Sequence, residues 1–472
     1  MKCRTWMWTI LVSLFAALAM SITLAAQAPS QQLRYTVFDM GTLGGPQSNV
    51  TAFAAVVNSQ QAMVGGADTS TRDPNYPNFN GLLSQDPFTQ HAVVTQHGTR
   101  TDLGTLPGGN SSFAGWINSS GTVVGSSENG SIDPITGTPE VRAVLWSHGT
   151  ITNLGTLGGN ESVALAVNTA GQVIGAAANA VPDNSSILGW GTQTRAFVYQ
   201  NGAMQDLGTL GGTDAIAYIN NDAGQVGGFS YTASGAGDPF VWTNGNMKDL
   251  GTLGGTSGSV NAINSTGQAT GGSNLAGNGA SHALFWDGNT LNDLGSIYGF
   301  RGGFSVGIWL NDAGAVVGQS QVSPVANHAV LWKNGATTDL GVLPGDDCSI
   351  AWGVNSGGQV VGASQICGGL AQHAVLWQNG QMFDLSNLLH GVKLVSAFYI
   401  TDSGAIAAVG NLAAGGNGVI TYTSKQHAYL LIPPGSDDKK GSFPATQNTE
   451  LDTVNQMREM VRQRFHADIQ PN

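Results

Sequence analysis

Three short phrases recur in a fixed order between about residue 35 and residue 432, and each occurs eight times. The first is Asp-Leu-Gly-Thr-Leu-Gly-Gly, complete at 206–212 and 249–255. The second is Asn-x-x-Gly followed by Val-Val-Gly or a close variant, and the third is His-Ala-x-x-Trp, complete at 282–286, 328–332 and 373–377. Most units start 43 to 53 residues after the previous one (Asp206 to Asp249, Asn153 to Asp206), near the length of a propeller blade. The chain is therefore predicted to repeat one supersecondary unit.

Each unit has the pattern of four short strands. In unit three these are predicted at 162–167, 172–177, 195–199 and 203–209, where apolar and β-branched residues alternate or cluster between Gly and Asn. Asn-x-x-Gly suits a tight hairpin connection, and the Asn-Gly pairs at 201–202 and 379–380 are typical two-residue turns.

The strand pattern predicts an all-β fold. One four-stranded sheet of this size cannot bury its own apolar face, but eight sheets stacked face to face can. The third strands supply the large side chains that would fill the spaces between sheets: Trp146, Trp242, Trp286, Trp332 and Trp377. We expect an eight-bladed β-propeller of four-stranded antiparallel blades over residues 29–434. The alternatives are a seven-bladed propeller and an open β-solenoid, which needs protective caps at its ends.

The two ends of the repeat region complement each other. The last third strand, around His427, is followed by no fourth-strand phrase, whereas residues 35–43 are an unmatched copy of that phrase and contain Asp39. In a closed ring the N-terminal strand would complete the last blade, and Asp39 would become the partner of His427.

The recurring phrases resemble those of the HAF repeat family of probable extracellular bacterial proteins, which is named for a His-Ala-Phe phrase. Arg195-Ala196-Phe197 and His373-Ala374-Val375 carry the resemblance, which covers about residues 35–432. It implies export and a repeat fold, and it implies no particular reaction.

The N-terminus also indicates export. Lys2 and Arg4 precede an apolar run from Trp6 to about Ala26 that ends in small residues, so residues 1–28 are predicted to be a signal peptide. An uncleaved membrane anchor is the alternative. After cleavage we expect no membrane insertion and a secreted, cell-surface or periplasmic protein.

Charge limits the classes of partner. Only 10% of residues are charged, against about 25% in typical domains, and the formal net charge is -12. The few basic residues form no stripe, so binding to nucleic acid or to an anionic membrane surface is not expected. No cofactor is predicted, and the sequence leaves the oligomeric state open.

Two cysteines remain after the signal peptide. Cys348 and Cys367 flank the turn at 355–358 at similar distances, so an antiparallel hairpin brings them together at its open end. In an oxidising compartment a disulfide is expected, with two free buried thiols as the alternative.

A polar residue opens each third strand eleven positions before the acid of the next phrase. The pairs are His91 and Asp102, Arg142 and Asn153, Arg195 and Asp206, His282 and Asp293, His328 and Asp339, and His373 and Asp384. Each pair is predicted to be a structural contact between neighbouring strands, not a metal site, because Arg replaces His in two units and protonated Arg cannot bind a metal. Unit four has two acids instead, Asp238 and Asp249.

Function is expected where the units differ. The connections between second and third strands are long in units one, two, three and eight (67–90, 126–141, 176–194 and 411–426) and should share one rim with the Gly-Gly loops. They contain the candidate ligand-binding residues Arg72, Asp73, Tyr76, Phe79, Glu128, Asp133, Glu140, Asp183 and Trp190. Aromatic and carboxylate groups together suit a non-catalytic binding or adhesion scaffold for an extracellular glycan or protein. The alternative is a carbohydrate-active enzyme, a hydrolase or lyase, that uses two loop carboxylates. No catalytic residue can be assigned.

The C-terminal segment differs from the repeats. Residues 435–448 have the composition of a polar linker, and residues 449–472 contain an apolar helical face marked by Leu451, Val454, Met457, Val461 and Phe465. This helix is expected to dock on the propeller or to pair with another chain, or else to be disordered when alone.

Overall fold

The computed structural model describes residues 33–83, 87–299, 302–369, 372–386, 388–414 and 421–435, without the side chains of 412–414 and 421–424. The chain divides into two compact parts, Met1–Arg34 and Tyr35–Asn472. Nearly all of the N-terminal part, which includes the predicted signal peptide, lies outside the described residues. Almost all of the predicted linker and the C-terminal helical segment also lie outside them. The described part contains strands and turns but no helix, and thus no helix that could span a membrane.

The described residues form thirty-two strands in eight consecutive units. β1 (Thr36–Asp39) precedes unit one, which contains β2 (Gly44–Asn49), β3 (Met63–Arg72), β4 (Phe88–Gln96) and β5 (Thr99–Asp102). Unit two contains β6 (Ser112–Ile117), β7 (Val123–Ile132), β8 (Pro139–Ser147) and β9 (Thr150–Asn153). Unit three contains β10 (Gly158–Val167), β11 (Val173–Pro182), β12 (Thr192–Gln200) and β13 (Ala203–Asp206). Unit four contains β14 (Gly211–Asn220), β15 (Val226–Thr232), β16 (Gly237–Thr243) and β17 (Asn246–Asp249).

The second half of the chain repeats this order. Unit five contains β18 (Gly254–Ile263), β19 (Ala269–Leu275), β20 (Ser281–Trp286) and β21 (Leu291–Asp293). Unit six contains β22 (Ser305–Leu310), β23 (Val316–Ser323), β24 (Ala326–Lys333) and β25 (Ala336–Asp339). Unit seven contains β26 (Cys348–Val354), β27 (Val360–Gln365), β28 (Gln372–Gln378) and β29 (Gln381–Asp384). Unit eight contains β30 (Val392–Ile400), β31 (Ile406–Ala414) and β32 (Thr421–Ile432).

Each unit is an antiparallel sheet whose strands are paired in chain order, and the architecture is all-β and propeller-like. Six of the seven sheets have four strands. The seventh has eight, because a single parallel bridge between Gly237 and Ser257 joins units four and five. In unit three the first and second strands extend several residues beyond their predicted limits toward the connection that follows β11, because backbone pairing continues past the apolar residues that mark them.

Unit eight is completed from the other end of the chain. β1 pairs antiparallel with β32, with Asp39 opposite Tyr429 and Thr36 opposite Ile432. The backbone N–H of Ala428 also donates to Ser48 Oγ of unit one at 3.2 Å. The same serine-to-third-strand bond joins units one and two, where Ala92 N–H donates to Ser112 Oγ at 2.9 Å. The two ends of the repeat region therefore meet with the same contact that joins interior units.

The glycine of the Val-Val-Gly phrase is explained by an irregularity in the neighbouring strand. The register of β6 against β7 shifts between Ala114 and Trp116, and the shift brings the Phe113 carbonyl against Gly125. A Cβ at Gly125 would collide with that carbonyl oxygen. A side chain is excluded here because first strand and second strand approach each other too closely at the bulge.

The asparagines of the Asn-x-x-Gly turns form a ladder from one unit to the next. Asn118 Oδ1 accepts from Thr122 N–H in its own turn at 2.9 Å, while Asn118 Nδ2 donates to the Asn168 carbonyl of the next unit, also at 2.9 Å. The same donation links successive units from one to eight: Asn58 to Asn118, Asn118 to Asn168, Asn168 to Asn221, Asn221 to Asn264, Asn264 to Asn311, Asn311 to Asn355, and Asn355 to Thr401. All eight turns therefore lie side by side on one rim.

The ladder defines two rims. The turn rim carries the connections between first and second strands and between third and fourth strands. Because the strands are antiparallel, the connections between second and third strands, and those leading to the next unit, lie on the opposite side, the loop rim.

The core lies between units and along the axis that the first strands face. Trp377 is 5% exposed and packs among apolar residues of units six and seven, and its Nε1 donates to the Leu340 carbonyl at 2.8 Å. On the first strands, the Trp309 ring lies 6.2 Å from Trp116 and 5.9 Å from Tyr399. Rings of units two, six and eight thus meet near a common axis, a contact that the sequence pattern did not predict.

Candidate binding surface on the loop rim

Histidine–aspartate contacts recur between third and fourth strands, as the spacing predicted, and they are internal to the sheets. His282 Nδ1 lies 2.8 Å from Asp293, and Arg195 Nε lies 3.0 Å from Asp206. Since a carboxylate only accepts, each of these histidines carries a proton on Nδ1. The aspartate also accepts the N–H of the glycine two residues later, as in Asp206 with Gly208 at 2.8 Å. Burial raises the pKa of Asp102, but the bonds from His91 and Gly104 N–H outweigh burial and leave it lowered.

Two of the predicted pairs are wrong. His373 Nδ1 lies 3.0 Å from Asp346, which is on the loop before its own unit, and Asp384 instead accepts from Ser386 N–H. Arg142 bonds Glu140 at 2.8 Å, because Asn153 offers no negative charge. In unit four, Asp238 faces Asp249. Burial, the negative charge of Asp249 and a hydrogen bond to Asp249 together raise the pKa of Asp238 to about 6.

The three long connections of units one, two and three begin with the same turn. The side chains of Asp73, Asp133 and Asp183 accept from the backbone N–H two residues later, at 2.8 Å in each case. Such Asx turns are a local structural use of aspartate. Asp73 and Asp133 are buried, and Asp183 is half-buried. The prediction that these carboxylates face a ligand is therefore wrong for the first two.

Glu128 and Glu140 are also used internally. Glu128 Oε2 accepts from Asn110 N–H at 3.0 Å, and Glu140 Oε2 accepts from Asn129 Nδ2 and from Arg142, both at 2.8 Å. Both glutamates are buried. Charged groups are rarely buried without such partners, and here the partners hold strands and loops together.

The aromatic candidates divide between core and surface. Trp190 is only 4% exposed and packs with Val141, Val163 and Ile216, so its predicted role as an exposed contact is wrong. Tyr76 is 49% exposed, and its ring lies 6.2 Å from the half-buried ring of Phe79. Arg72 is exposed, and its guanidinium lies 5.7 Å from the centre of the Phe88 ring.

The loop of unit one is fastened across its neighbours. Asn78 Nδ2 donates to the Gly137 carbonyl at 2.7 Å, and Asn80 Nδ2 donates to the Pro139 carbonyl at 3.0 Å. Leu82 and Leu83 pack against the cluster that contains Trp190. The loops of units one, two and three therefore form one connected platform, which we call the long-loop platform (residues 72–83, 132–140 and 180–192). The corresponding connection of unit eight includes residues 415–420, which lie outside the described residues.

Two buried acids beneath the platform were missed by the sequence analysis. Glu161 accepts from Val141 N–H at 2.8 Å and from Asn80 Nδ2 at 3.2 Å, and Asp214 accepts from Ile187 N–H and Thr194 N–H, both at 2.8 Å. They occupy the position before the first-strand serine, which is Ser162 in unit three and is replaced by Ala215 in unit four; other units have uncharged residues such as Ser111 and Cys348 there. Aligning the repeats at that position would have revealed them.

Burial of these acids changes their protonation. The pKa of Glu161 is raised to about 8, chiefly by burial and further by the negative charges of Asp133 and Glu140, against the lowering effects of the Val141 N–H and of Arg142. Burial likewise raises the pKa of Glu128 and of Asp214.

Exposed large apolar side chains of the described residues are confined to the loop rim. They lie within or next to its connections: Tyr76, Ile132, Ile135, Val181, Ile297, Tyr298, Val325 and Ile366. Four of these eight belong to the long-loop platform, with Ile132 and Ile135 each 54% exposed. Such side chains, grouped on one face, are typical of a surface that contacts another molecule.

Cys348 and Cys367 are joined by a disulfide, with their Cα atoms 5.1 Å apart. The bond closes the loop-rim end of the β26–β27 hairpin. Cys348 Sγ also faces the Asn327 N–H of unit six at 3.4 Å, so it occupies the inter-unit position that Glu161 fills in unit three.

No protein-family model matches the chain, and no curated protein is significantly similar to it. Among solved structures it is similar to a puromycin-hydrolyzing peptidase of Mycobacterium tuberculosis (TM-score 0.39, 13% identity, 80% of this chain and 64% of that chain). It is also similar to a Dyadobacter fermentans protein of unknown function (0.33, 10%, 85% and 99%) and to a Trypanosoma rangeli sialidase in complex with 2,3-difluorosialic acid (0.29, 9%, 85% and 58%). Because all three TM-scores are below 0.5, the fold description rests on the strand pairing.

Proposed function

We propose that this chain is an exported binding protein of the HAF repeat type, built as a closed eight-bladed propeller that contacts an extracellular macromolecule through its loop rim. The observation that carries the proposal is the one-sided distribution of exposed apolar side chains. All eight that the described residues contain belong to the loop rim.

Ring closure is supported by contacts between the first and last units. β1 completes the sheet of unit eight, and Ser48 of unit one accepts from unit eight. Phe53 of unit one lies 5.2 Å from Trp352 of unit seven, ring centre to ring centre. In a ring of eight, units one and seven flank unit eight, so both contacts are expected.

A protein partner is favoured over a glycan by the chemistry of the long-loop platform. Ile132, Ile135 and Val181 are aliphatic, and Arg72 is the only exposed cation among the described residues of the platform. Aliphatic surface is buried favourably against another protein, whereas sugars stack on flat aromatic faces. Tyr76 is the exposed aromatic residue of this platform among those described.

A non-catalytic role is supported by the use of the loop carboxylates. Asp73, Asp133 and Asp183 hold their own turns, and Glu128 and Glu140 accept internal hydrogen bonds. General acid–base catalysis needs a carboxyl group within hydrogen-bonding reach of the substrate. Export is supported by the disulfide, since such bonds persist in oxidising compartments.

Site-specific photo-crosslinking tests the binding proposal. A photoreactive amino acid is placed at Ile135 or Val181 on the loop rim, and at the exposed turn-rim residue Ser119 as the matched control. The labelled proteins are then irradiated with the extracellular fraction and surface of the producing cells. Protease-sensitive adducts from the two loop-rim positions, and none from Ser119, are expected.

Equal labelling from both rims would contradict a loop-rim site. Protease-resistant adducts, with hits on a glycan array, would identify a glycan partner instead, and release of reducing sugar from those hits would show an enzyme.

A further inference from the structure

Each loop of the long-loop platform lies near a carboxyl group of the next unit. The turn aspartates Asp73, Asp133 and Asp183 interact electrostatically with Glu128, Glu161 and Asp214, respectively. Each pair joins a loop aspartate to a buried acid of the unit that follows. Units one, two and three, which have the long loops, thus each place two like charges across a unit boundary, with the buried acid on the second strand in unit two and on the first strand in units three and four.

The middle pair is the most completely buried, since Asp133 and Glu161 are both 0% exposed. Asp133 Oδ1 accepts from Ile135 N–H at 2.8 Å and Asn160 Nδ2 at 3.1 Å, whereas Asp133 Oδ2 has no hydrogen-bond partner among the described residues. Two ionised carboxylates without water are strongly unfavourable at such a site.

Other charged groups neutralise this pair only in part, because Arg142 lowers the pKa of Glu161 while Glu140 raises it. Glu140 adds a third negative charge, and Arg142, which faces the same site, is bonded to Glu140 at 2.8 Å. One proton retained on Glu161 relieves the repulsion, which agrees with the raised pKa of that group.

Glu161 is also an attachment point of the loop of unit one. Its Oε1 accepts from Asn80 Nδ2, and the same amide donates to the Pro139 carbonyl of unit two. A change of charge on Glu161 therefore acts directly on the contact that fastens residues 72–83 over their neighbours.

We propose that the Asp133–Glu161 pair makes the long-loop platform proton-responsive: the loop of unit one stays docked while one of the two carboxyls is protonated, and it separates from its neighbours when both ionise. The relevance of this response to partner binding rests on the proposed function, but loop opening itself does not.

The geometry favours a proton over a bound cation. Ca²⁺ takes six to eight oxygen ligands. Among the described residues, three potential metal-binding side chains converge only at Asp347, Cys348 and Cys367, in unit seven, where both sulfurs are engaged in the disulfide.

Hydrogen exchange of the full mature chain without any partner, from pH 5 to pH 9, tests the proposal. Rates are corrected for intrinsic exchange and read from peptides covering residues 75–83. Docking of the loop of unit one takes up a proton on Glu161 at a pH below the pKa that this group has in the docked state. Protection of the amides in residues 75–83 is therefore expected to fall by up to about tenfold per pH unit toward pH 8 and then to level off. Glu161→Gln, which keeps an acceptor oxygen and cannot ionise, should give a flat profile.

Two further variants sharpen the test. Asp133→Asn keeps the turn acceptor but removes the neighbouring charge, so its fall in protection should move to lower pH. Asp222→Asn is the control on the turn rim, where Asp222 accepts from Thr169 N–H at 2.8 Å, and it should keep the wild-type profile.

A wild-type profile that is flat, or that Glu161→Gln leaves unchanged, would overturn the proposal. So would restoration of wild-type protection at pH 9 by Ca²⁺ alone, since that would assign the site to a cation. If Glu161→Gln does not fold, the shift in Asp133→Asn decides the question. Because no partner is present, failure here is distinct from failure of the proposed binding function.

Discussion

His427 Nδ1 lies 2.9 Å from Asp39 Oδ2, although 388 positions separate the two residues in the chain. The contact repeats, across the junction of the chain ends, the pair that His328 and Asp339 make within unit six at 2.9 Å. The proposed ring closure should therefore depend on Asp39 as strongly as an interior unit depends on its own aspartate.

Asp39→Ala is expected to lower the free energy of unfolding by about 1 kcal/mol, because it removes one partly buried hydrogen-bonded contact. Urea denaturation measures the change, and Asp206→Ala in unit three is the matched control with a similar expected loss. Deletion of residues 29–44 should destabilise the ring far more and expose the edge of β32 to aggregation. A deletion variant as stable and soluble as the full mature chain would contradict closure.

The asparagine ladder ends at Thr401 in unit eight. Among the contacts described, the Thr401 side chain forms hydrogen bonds only within its own turn. Thr401→Asn is expected to add a donor toward unit one and to stabilise the ring by about 1 kcal/mol. Asn221→Ala should destabilise by about 2 kcal/mol, because it leaves the Gln225 N–H and the Asn264 carbonyl without their partner. Thermal unfolding should show a stabilised Thr401→Asn variant and a destabilised Asn221→Ala variant. Destabilisation by Thr401→Asn would argue against a closed ladder.

Asp238 is the acid that stands where other units have His or Arg. Its folded pKa of about 6 exceeds the ordinary value of 3.8, so its protonated form stabilises the fold below about pH 4 and that contribution is lost as pH rises through 6. Because the site is half-exposed, we expect an effect of about 1 kcal/mol. Asp238→Asn should remove this part of the pH dependence, and Asp238→Arg should raise stability at pH 7 by restoring the pair seen at Arg195 and Asp206. Urea midpoints at pH 4, 6 and 7.5 are the measurement; identical pH slopes in wild type and Asp238→Asn would refute the account.

The disulfide should contribute about 2–4 kcal/mol, as expected for a bond that closes a short loop. Non-reducing peptide mapping should show Cys348 linked to Cys367. A Cys348→Ser, Cys367→Ser double variant keeps an acceptor for the Asn327 N–H, as serine does at position 111 in unit two. It should therefore be more stable than the double variant with Cys348→Ala, and equal stability would show that the Asn327 contact has no effect.

Trp190 and Tyr76, which the sequence pattern groups together, should behave in opposite ways. Trp190→Ala is expected to destabilise by about 3–5 kcal/mol, since it empties a packed site under the long-loop platform. Tyr76→Ala should change stability by less than about 0.5 kcal/mol and weaken crosslinking from Ile135 instead. Thermal melts distinguish the two variants. A Trp190→Ala variant as stable as the wild type would show that Trp190 is not needed for packing beneath the platform.

Local features of the repeat could be predicted because they depend on neighbours in sequence. Asn201 and Gly202 both have positive φ, as a two-residue hairpin turn requires. Trp377 pairs with Met382 and Val375 with Asp384, as the turn register predicted. The contact that the phrase spacing predicted wrongly also has a local cause. His373 bonds Asp346 because this loop aspartate lies within hydrogen-bonding distance, although Asp346 belongs to none of the repeated phrase positions from which the pairs were predicted.

By itself, the sequence determined the unit, its four strands, its turns and the phrase that pairs third with fourth strands, because these follow from side-chain alternation and turn chemistry. Tertiary structure decided which side chains the loops bury, because burial depends on what the neighbouring unit places beneath them. Asp133 and Trp190 look like surface residues in a polar loop, yet Asn160 and Glu161 of unit three lie against the first, and apolar residues of units two, three and four enclose the second. The aromatic contacts at the axis were decided in the same way, since they arise only when first strands from distant units converge.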